Sequence, residues 1–259
     1  MNETQFRLKY GMVIDLDKCV GCGACMVACQ SENNLYVRLD ESDKLRSTTW
    51  MRLYRINNGE KFPEAKFSFF PRPCMQCGHH TPCVSVCPAT ATTVDEEGGI
   101  VSQIYTRCIG CRYCVAACPY HVRYFNWWDP VFPDGMEKSL SPDVSPRMRG
   151  VVEKCTFCHH RLMKAKQKAA MEKRRDLHEG EYITACTQAC PTGAITFGDL
   201  NNPEHQVAKL AARPDAFRLL ERLGTEPKVY YLTKYDWIRK MADNYLPEED
   251  FRNVKKQKH

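Results

Sequence analysis

The stretch Cys19–Gln30, "CVGCGACMVACQ", sets four cysteines at the spacing C-x2-C-x2-C-x3-C. The pattern then returns three times. "CMQCGHHTPCVSVCP" places Cys74, Cys77, Cys83 and Cys87 ahead of Pro88, and "CIGCRYCVAACPY" places Cys108, Cys111, Cys114 and Cys118 ahead of Pro119. The last copy is split: Cys155 and Cys158, then an interval of 27 residues, then Cys186 and Cys190 ahead of Pro191. These four groups of four use all 16 cysteines of the chain.

A chain of 259 residues suffices for one large or two small domains. Disulfides favour short secreted chains with scattered cysteines, and thiols two or three residues apart rarely meet disulfide geometry. Thiolates converging on metal fit better. In bacterial ferredoxins the run C-x2-C-x2-C-x3-C-P gives three thiolates to one cubane, and its fourth cysteine ligates the other cluster of a pair. The reason is reach. Three close cysteines wrap one corner of a compact inorganic cube, and the x3 step begins a helix that carries the last sulfur away. Proline straight afterwards ends the turn, while Gly21, Gly23 and Gly110 permit close backbone turns. Structural zinc also uses C-x2-C knuckles, but it needs no third and fourth cysteine at x2 and x3. The pattern therefore reads as iron–sulfur clusters in pairs.

Between the second and third motifs, Thr92–Val94 and Ile100–Ile104 flank a turn at Glu96–Gly99 and predict a hairpin. "GAITFGDL" after the fourth motif is another strand-and-turn signal. Cluster loop, short helix and hairpin thus repeat. The expected fold class is α+β: two ferredoxin-like pseudo-twofold modules, each binding two clusters, with a basic helical insert. Cores this small depend on cluster ligation for much of their stability.

These residues resemble the four-cluster iron–sulfur subunits of the complex iron–sulfur molybdoenzyme, or polysulfide reductase, family. The resemblance is carried by "GMVIDLDKCVGCGACMVACQSENN" (11–34), the second motif, "CIGCRYCVAACPYHVRYFNW" (108–127), "KCTFCHHR" (154–161), "ACTQACPTGAITFGDLNNP" (185–203) and "LGTEPKVYYL" (223–232). It spans about residues 10–232, and its later part looks most like the alternative complex III and menaquinone reductase branch. The resemblance implies that the first motif pairs with the fourth and the second with the third. One cluster would then take Cys19, Cys22, Cys25 and Cys190, and its neighbour Cys155, Cys158, Cys186 and Cys29. The other pair would take Cys74, Cys77, Cys83 and Cys118, then Cys108, Cys111, Cys114 and Cys87. It also implies a first module of 10–72 with 150–232, a second of 73–149, and a polar C-terminal extension over 233–259. The second cysteine of every motif is present, which favours four [4Fe–4S] clusters, although spacing alone leaves room for one [3Fe–4S].

The family relays electrons between a large molybdopterin-type redox subunit, or cytochrome c, and an integral-membrane quinone-binding subunit. The resemblance implies that role here, at the periplasmic face of the membrane with export on a signal-bearing partner, or else at the cytoplasmic face. The N-terminus shows neither an apolar h-region nor twin arginines, and no run approaches a membrane span. A free polyferredoxin serving soluble oxidoreductases is the alternative. A third class, a zinc-stabilised scaffold, predicts a colourless protein with about four zinc ions. Net charge is +6, too small to argue for nucleic acid. No nucleophile–base pair, phosphate loop or paired-carboxylate site is present, so no catalytic residue is assigned. The insert 160–181 carries helical propensity throughout and fits a solvated helix or an acidic partner. The aromatics of 120–132 fit core packing, cluster shielding or docking. A Rieske role for the histidines at 79, 80, 159 and 160 is disfavoured, because 16 thiols are already matched.

Overall fold

The computed structural model describes residues 7–36 and 48–242. β1 (Tyr10–Asp15) leads into α1 (Ala24–Glu32), which carries Cys25 and Cys29. β2 (Arg52–Asn57) and β3 (Phe67–Arg72) form a hairpin ahead of the second motif, whose short α2 (Pro82–Ser85) holds Cys83. β4 (Thr92–Val94) and β5 (Val101–Gln103) pair as the predicted hairpin and precede α3 (Tyr113–Ala117), which holds Cys114. β6 (Tyr124–Phe125) pairs with β7 (Val152–Glu153), closing the long loop between them. α4 (His159–Met171) starts directly after Cys158, and α5 (Ala185–Gln188) holds Cys186. The chain ends in β8 (Ile195–Asp199), α6 (Gln206–Ala211), β9 (Ala216–Phe217), β10 (Val229–Leu232) and α7 (Asp236–Ala242).

A four-stranded sheet of order β8-β1-β10-β9 anchors the molecule. β1 pairs antiparallel with β8 (Tyr10 opposite Asp199, Ile14 opposite Ile195) and parallel with β10 (Met12 opposite Val229). Flanked on both sides, β1 is buried at five of its six residues, which explains why it lacks the alternation of a half-exposed strand. The largest buried cluster gathers Met12, Ile14, Tyr231, Phe157 and Leu162 with Met75, Ile100, Tyr120 and Val122. It thus draws on both 10–72 with 150–232 and 73–149. Seven cysteines sit in that same cluster: Cys25, Cys29, Cys74, Cys77, Cys118, Cys155 and Cys186. Seven of the 16 cysteines are thus part of the main core itself.

The end of α1 is strapped to the 140s loop. Asn34 Nδ2 donates to Ser141 O at 2.8 Å, and the Ser141 amide donates back to Asn34 Oδ1 at 2.8 Å. Arg147, fully buried, pairs with Glu153 at 3.0 Å and donates to Asn34 O at 3.2 Å. A buried ion pair of this kind stands only while both partners remain, because either charge alone would be left unanswered in a low dielectric.

Three expectations change. The insert is helical only to Met171; Lys173 turns left-handed (φ 59), and the rest is held by Arg174 pairing with Glu172 and with Glu181 at 2.7 Å. The strand within "GAITFGDL" does not fold into a local hairpin but pairs with β1, some 180 residues earlier in the chain. A central strand with open edges collects partners wherever their apolar faces complete the core. Finally, the extension is not merely polar: Ile238 lies in the main core and Trp237 packs against it. Residues 243–259 of that extension lie outside the described residues.

Candidate metal centres

Three cavities are walled by cysteines. Cys74, Cys77, Cys83 and Cys118 line one of about 340 Å³. Cys87, Cys108, Cys111 and Cys114 line another of about 300 Å³. Cys19, Cys22, Cys25 and Cys190 line a third of about 320 Å³. The remaining four, Cys29, Cys155, Cys158 and Cys186, are all buried, and Cys155, Cys158 and Cys186 are the charged neighbours that raise Cys29 after burial itself. Each foursome draws its cysteines from two motifs.

The short helices explain this exchange. In α1, Cys25 faces the Cys19 cavity while Cys29, one turn on, points to the neighbouring group. In all four C-x-x-C loops the residue before the second cysteine takes the left-handed conformation: Gly21 (φ 73), Gln76 (φ 49), Gly110 (φ 71) and Phe157 (φ 54). That single backbone turn swings both sulfurs to one side. Glycine advertises it in two motifs. In the other two, burial holds a side chain there: Gln76 donates to Cys155 O at 2.7 Å and accepts from the Val101 amide at 2.8 Å, and Phe157 sits wholly in the core.

The thiols respond to their surroundings. Burial, followed by Cys19 and Cys190, pushes Cys25 up to about 11. Burial and Cys74 push both Cys77 and Cys155 up to about 12. Such groups stay protonated unless a positive charge is supplied, which is what iron does on binding thiolate. Cys87 is lowered instead: burial raises it, but the amides of Thr92, Ala91 and Ala89 together outweigh that, with the Ala91 N–H 3.2 Å from its sulfur. Other donors reach ligand sulfurs too: the Val152 amide to Cys108 at 3.4 Å and Asn33 Nδ2 to Cys29 at 3.7 Å. Such bonds tune reduction potential.

Among the described residues, no three His, Cys, Asp or Glu side chains close on a single point as one metal ion would need. Four soft donors around one apolar cavity fit a compact multi-atom cluster. The histidines stand apart: His79 and His80 pack ring to ring at 3.7 Å, and His160 meets Glu32 at 2.6 Å.

Four buried cations, Arg123, Arg147, Lys154 and Lys228, escaped the sequence reading. Arg123 and Lys154 line the Cys74 cavity. Their signal was a charged residue inside an apolar, cysteine-flanked run ("YHVRYF", "VVEKC"), which charge counting does not register.

The foursomes follow one another in a row. Cys186 neighbours Cys25, Cys155 neighbours Cys74, and Cys114 neighbours Cys83. Cys22 and Cys111, at opposite ends of that order, are the exposed cysteines.

Comparisons with known proteins agree. Models of the 4Fe-4S dicluster domain match residues 65–132, and, for a second such model, residues 18–91 and 107–194. The protein is 63% identical over 247 residues to the menaquinone reductase iron–sulfur cluster-binding subunit of Nitratidesulfovibrio vulgaris, covering 95% of this chain and 96% of the relative. It is 37% identical over 224 residues to the B component of polysulfide reductase from Wolinella succinogenes, covering 86% and 93%. It is 34% identical over 247 residues to the Hdr-like menaquinol oxidoreductase iron–sulfur subunit 1 of Archaeoglobus fulgidus, covering 88% and 85%. Two dicluster domains with 16 cysteines make four [4Fe–4S] clusters. The chain therefore belongs to the 4Fe-4S dicluster family, among the electron-transfer iron–sulfur subunits typified by those of menaquinone and polysulfide reductases.

Proposed function

We propose that this chain is the relay subunit of a membrane-bound menaquinone reductase, standing between a large redox subunit or cytochrome c and an integral-membrane quinone-binding subunit. The ligand sets are Cys19, Cys22, Cys25 with Cys190; Cys155, Cys158, Cys186 with Cys29; Cys74, Cys77, Cys83 with Cys118; and Cys108, Cys111, Cys114 with Cys87. They divide the chain into two pseudo-twofold modules, 10–72 with 150–232 and 73–149. Bound clusters supply one-electron redox chemistry. The protein's part is to hold four sites in a row, keep the middle two dry and expose the two ends.

The observation that carries this reading is the linear order with an exposed cysteine at each terminus. Apolar side chains stand beside both ends. Val20 and Val27 are more than half exposed near Cys22, and Ile109 and Tyr113 flank Cys111. Apolar side chains beside a redox terminus are what docking to another subunit requires. Among the described residues no helix is long and apolar enough to cross a membrane. We place the assembly on the periplasmic face, exported with a signal-bearing partner; protease accessibility in spheroplasts distinguishes this from the cytoplasmic face.

The test is affinity purification of the native assembly through a tag on this chain, with iron and sulfide analysis. Co-purification of an integral-membrane subunit and a large redox subunit is expected. Recovery of an iron-loaded monomer would leave the free polyferredoxin.

A further inference from the structure

The Cys74 cavity differs from the other two in its charge. Arg123 and Lys154 line it at 4% and 0% exposure. No charged side chain lines the Cys19 cavity, and the Cys87 cavity has only Arg112, which is on the surface; the cation beside Cys158 and Cys186 of the fourth foursome, Arg161, is answered by Glu32 at 2.6 Å. Among the described residues neither buried cation pairs with a carboxylate; the adjacent Glu153 is taken by Arg147 at 3.0 Å. Both are held by neutral acceptors. Arg123 Nη2 donates to Thr92 Oγ1 at 2.9 Å and to Gln103 Oε1, and Lys154 Nζ donates to Cys155 O at 2.6 Å and to Val101 O. Arg123 Nε and Nη1 are buried with no hydrogen-bond partner among the described residues. Two buried charges, one of them with orphaned donors, are costly unless an anion answers them. The thiolates around them are the anions at hand: Cys83 and Cys74 of this site lie close to Arg123, as does Cys114 of the next.

We infer that Arg123 and Lys154 make the site of Cys74, Cys77, Cys83 and Cys118 the most readily reduced of the four. The inference rests on the ligand sets proposed above. A cluster held by four thiolates is already anionic, and each electron deepens that charge. A cation in a low-dielectric wall offsets it several times more strongly than one in water. The first electron to enter the row therefore settles on the second motif's site, in the interior, away from solvent and oxidant. Arg123 and Lys154 are positioning residues: they act on the site through their charge.

The test is a dithionite titration followed by electron paramagnetic resonance, on the intact complex carrying Arg123→Gln or Lys154→Met. Full iron and sulfide are expected. The first-reduced signal should lose at least tenfold in electron affinity, about 59 mV for a one-electron couple, and should move further than the signals of the flanking sites, whose Cys114 and Cys155 also lie beside these cations. Arg123→Lys, which keeps the charge, should restore most of the loss. A fully loaded variant whose first potential does not move would overturn the inference, as would a shift confined to a later-reduced signal. So would loss of about a quarter of the iron in both variants, which would make the cations determinants of assembly. Cys118→Ala checks the ligand set independently: retention of all iron would sink that assignment, whereas loss of a later-reduced signal would sink only the ranking.

Discussion

At Gly110 the left-handed turn and a close approach coincide. The backbone has φ 71, and a Cβ there would stand 2.3 Å from the carbonyl oxygen of Gly150. Backbone cannot swing aside as a flexible side chain can. Gly23 has φ 78 but nothing within 4 Å of a built Cβ. Gly23→Ala should therefore cost only the conformational strain, about 1–2 kcal/mol. Gly110→Ala should cost about 3 kcal/mol or more, because strain and clash act together. Anaerobic chemical unfolding of the loaded protein checks the difference; equal losses would remove the steric argument. The same turn at Gln76 and Phe157 was not legible in the sequence. A left-handed residue without glycine is held by tertiary contacts that no local spacing encodes.

Between elements, Glu32 at the end of α1 binds α4. It accepts from Arg161 Nε and Nη2, each at 2.6 Å, and meets His160 at 2.6 Å. The Arg161 guanidinium holds its carboxyl down at about 2 from an ordinary 4.5, against the opposing effect of burial and with further help from His160. A depressed carboxylate contributes stability that is fully present above the unfolded value and is lost as pH falls through the folded one. Glu32→Gln should cost about 1–2 kcal/mol at pH 7, after discounting for partial exposure. The gap between variant and parent should begin to close below about pH 4.5. Equilibrium unfolding of both proteins at pH 7, 5 and 4 measures it; a gap independent of pH would show that the pair does not act through its charge. The sequence placed "HHR" after Cys158 and Glu32 after Cys29, but not their meeting. Helix–helix contacts depend on where the two motifs lie once the foursomes have formed.

At the scale of the molecule, a row of sites makes each interior one indispensable to transfer between the ends. Cys118→Ala should leave about three quarters of the iron, because the other ligand sets are separate. Quinone reduction by the complex should nonetheless be lost. Iron analysis and turnover of the same preparation test this, and unimpaired turnover with one cluster gone would refute the linear order.

The sequence by itself determined the donor groups and their number, 16 thiols in four closely spaced motifs. A sulfur two or three residues from its neighbour has almost no freedom in where it goes. It also specified the β4–β5 hairpin, which is closed by its own turn. Tertiary structure decided the rest: β1 collecting β8 and β10 from the far end of the chain, the early stop of α4, and two cations sealed beside one foursome. Those outcomes depend on which apolar faces and charges meet after the chain has folded back on itself, over separations at which local spacing carries no information.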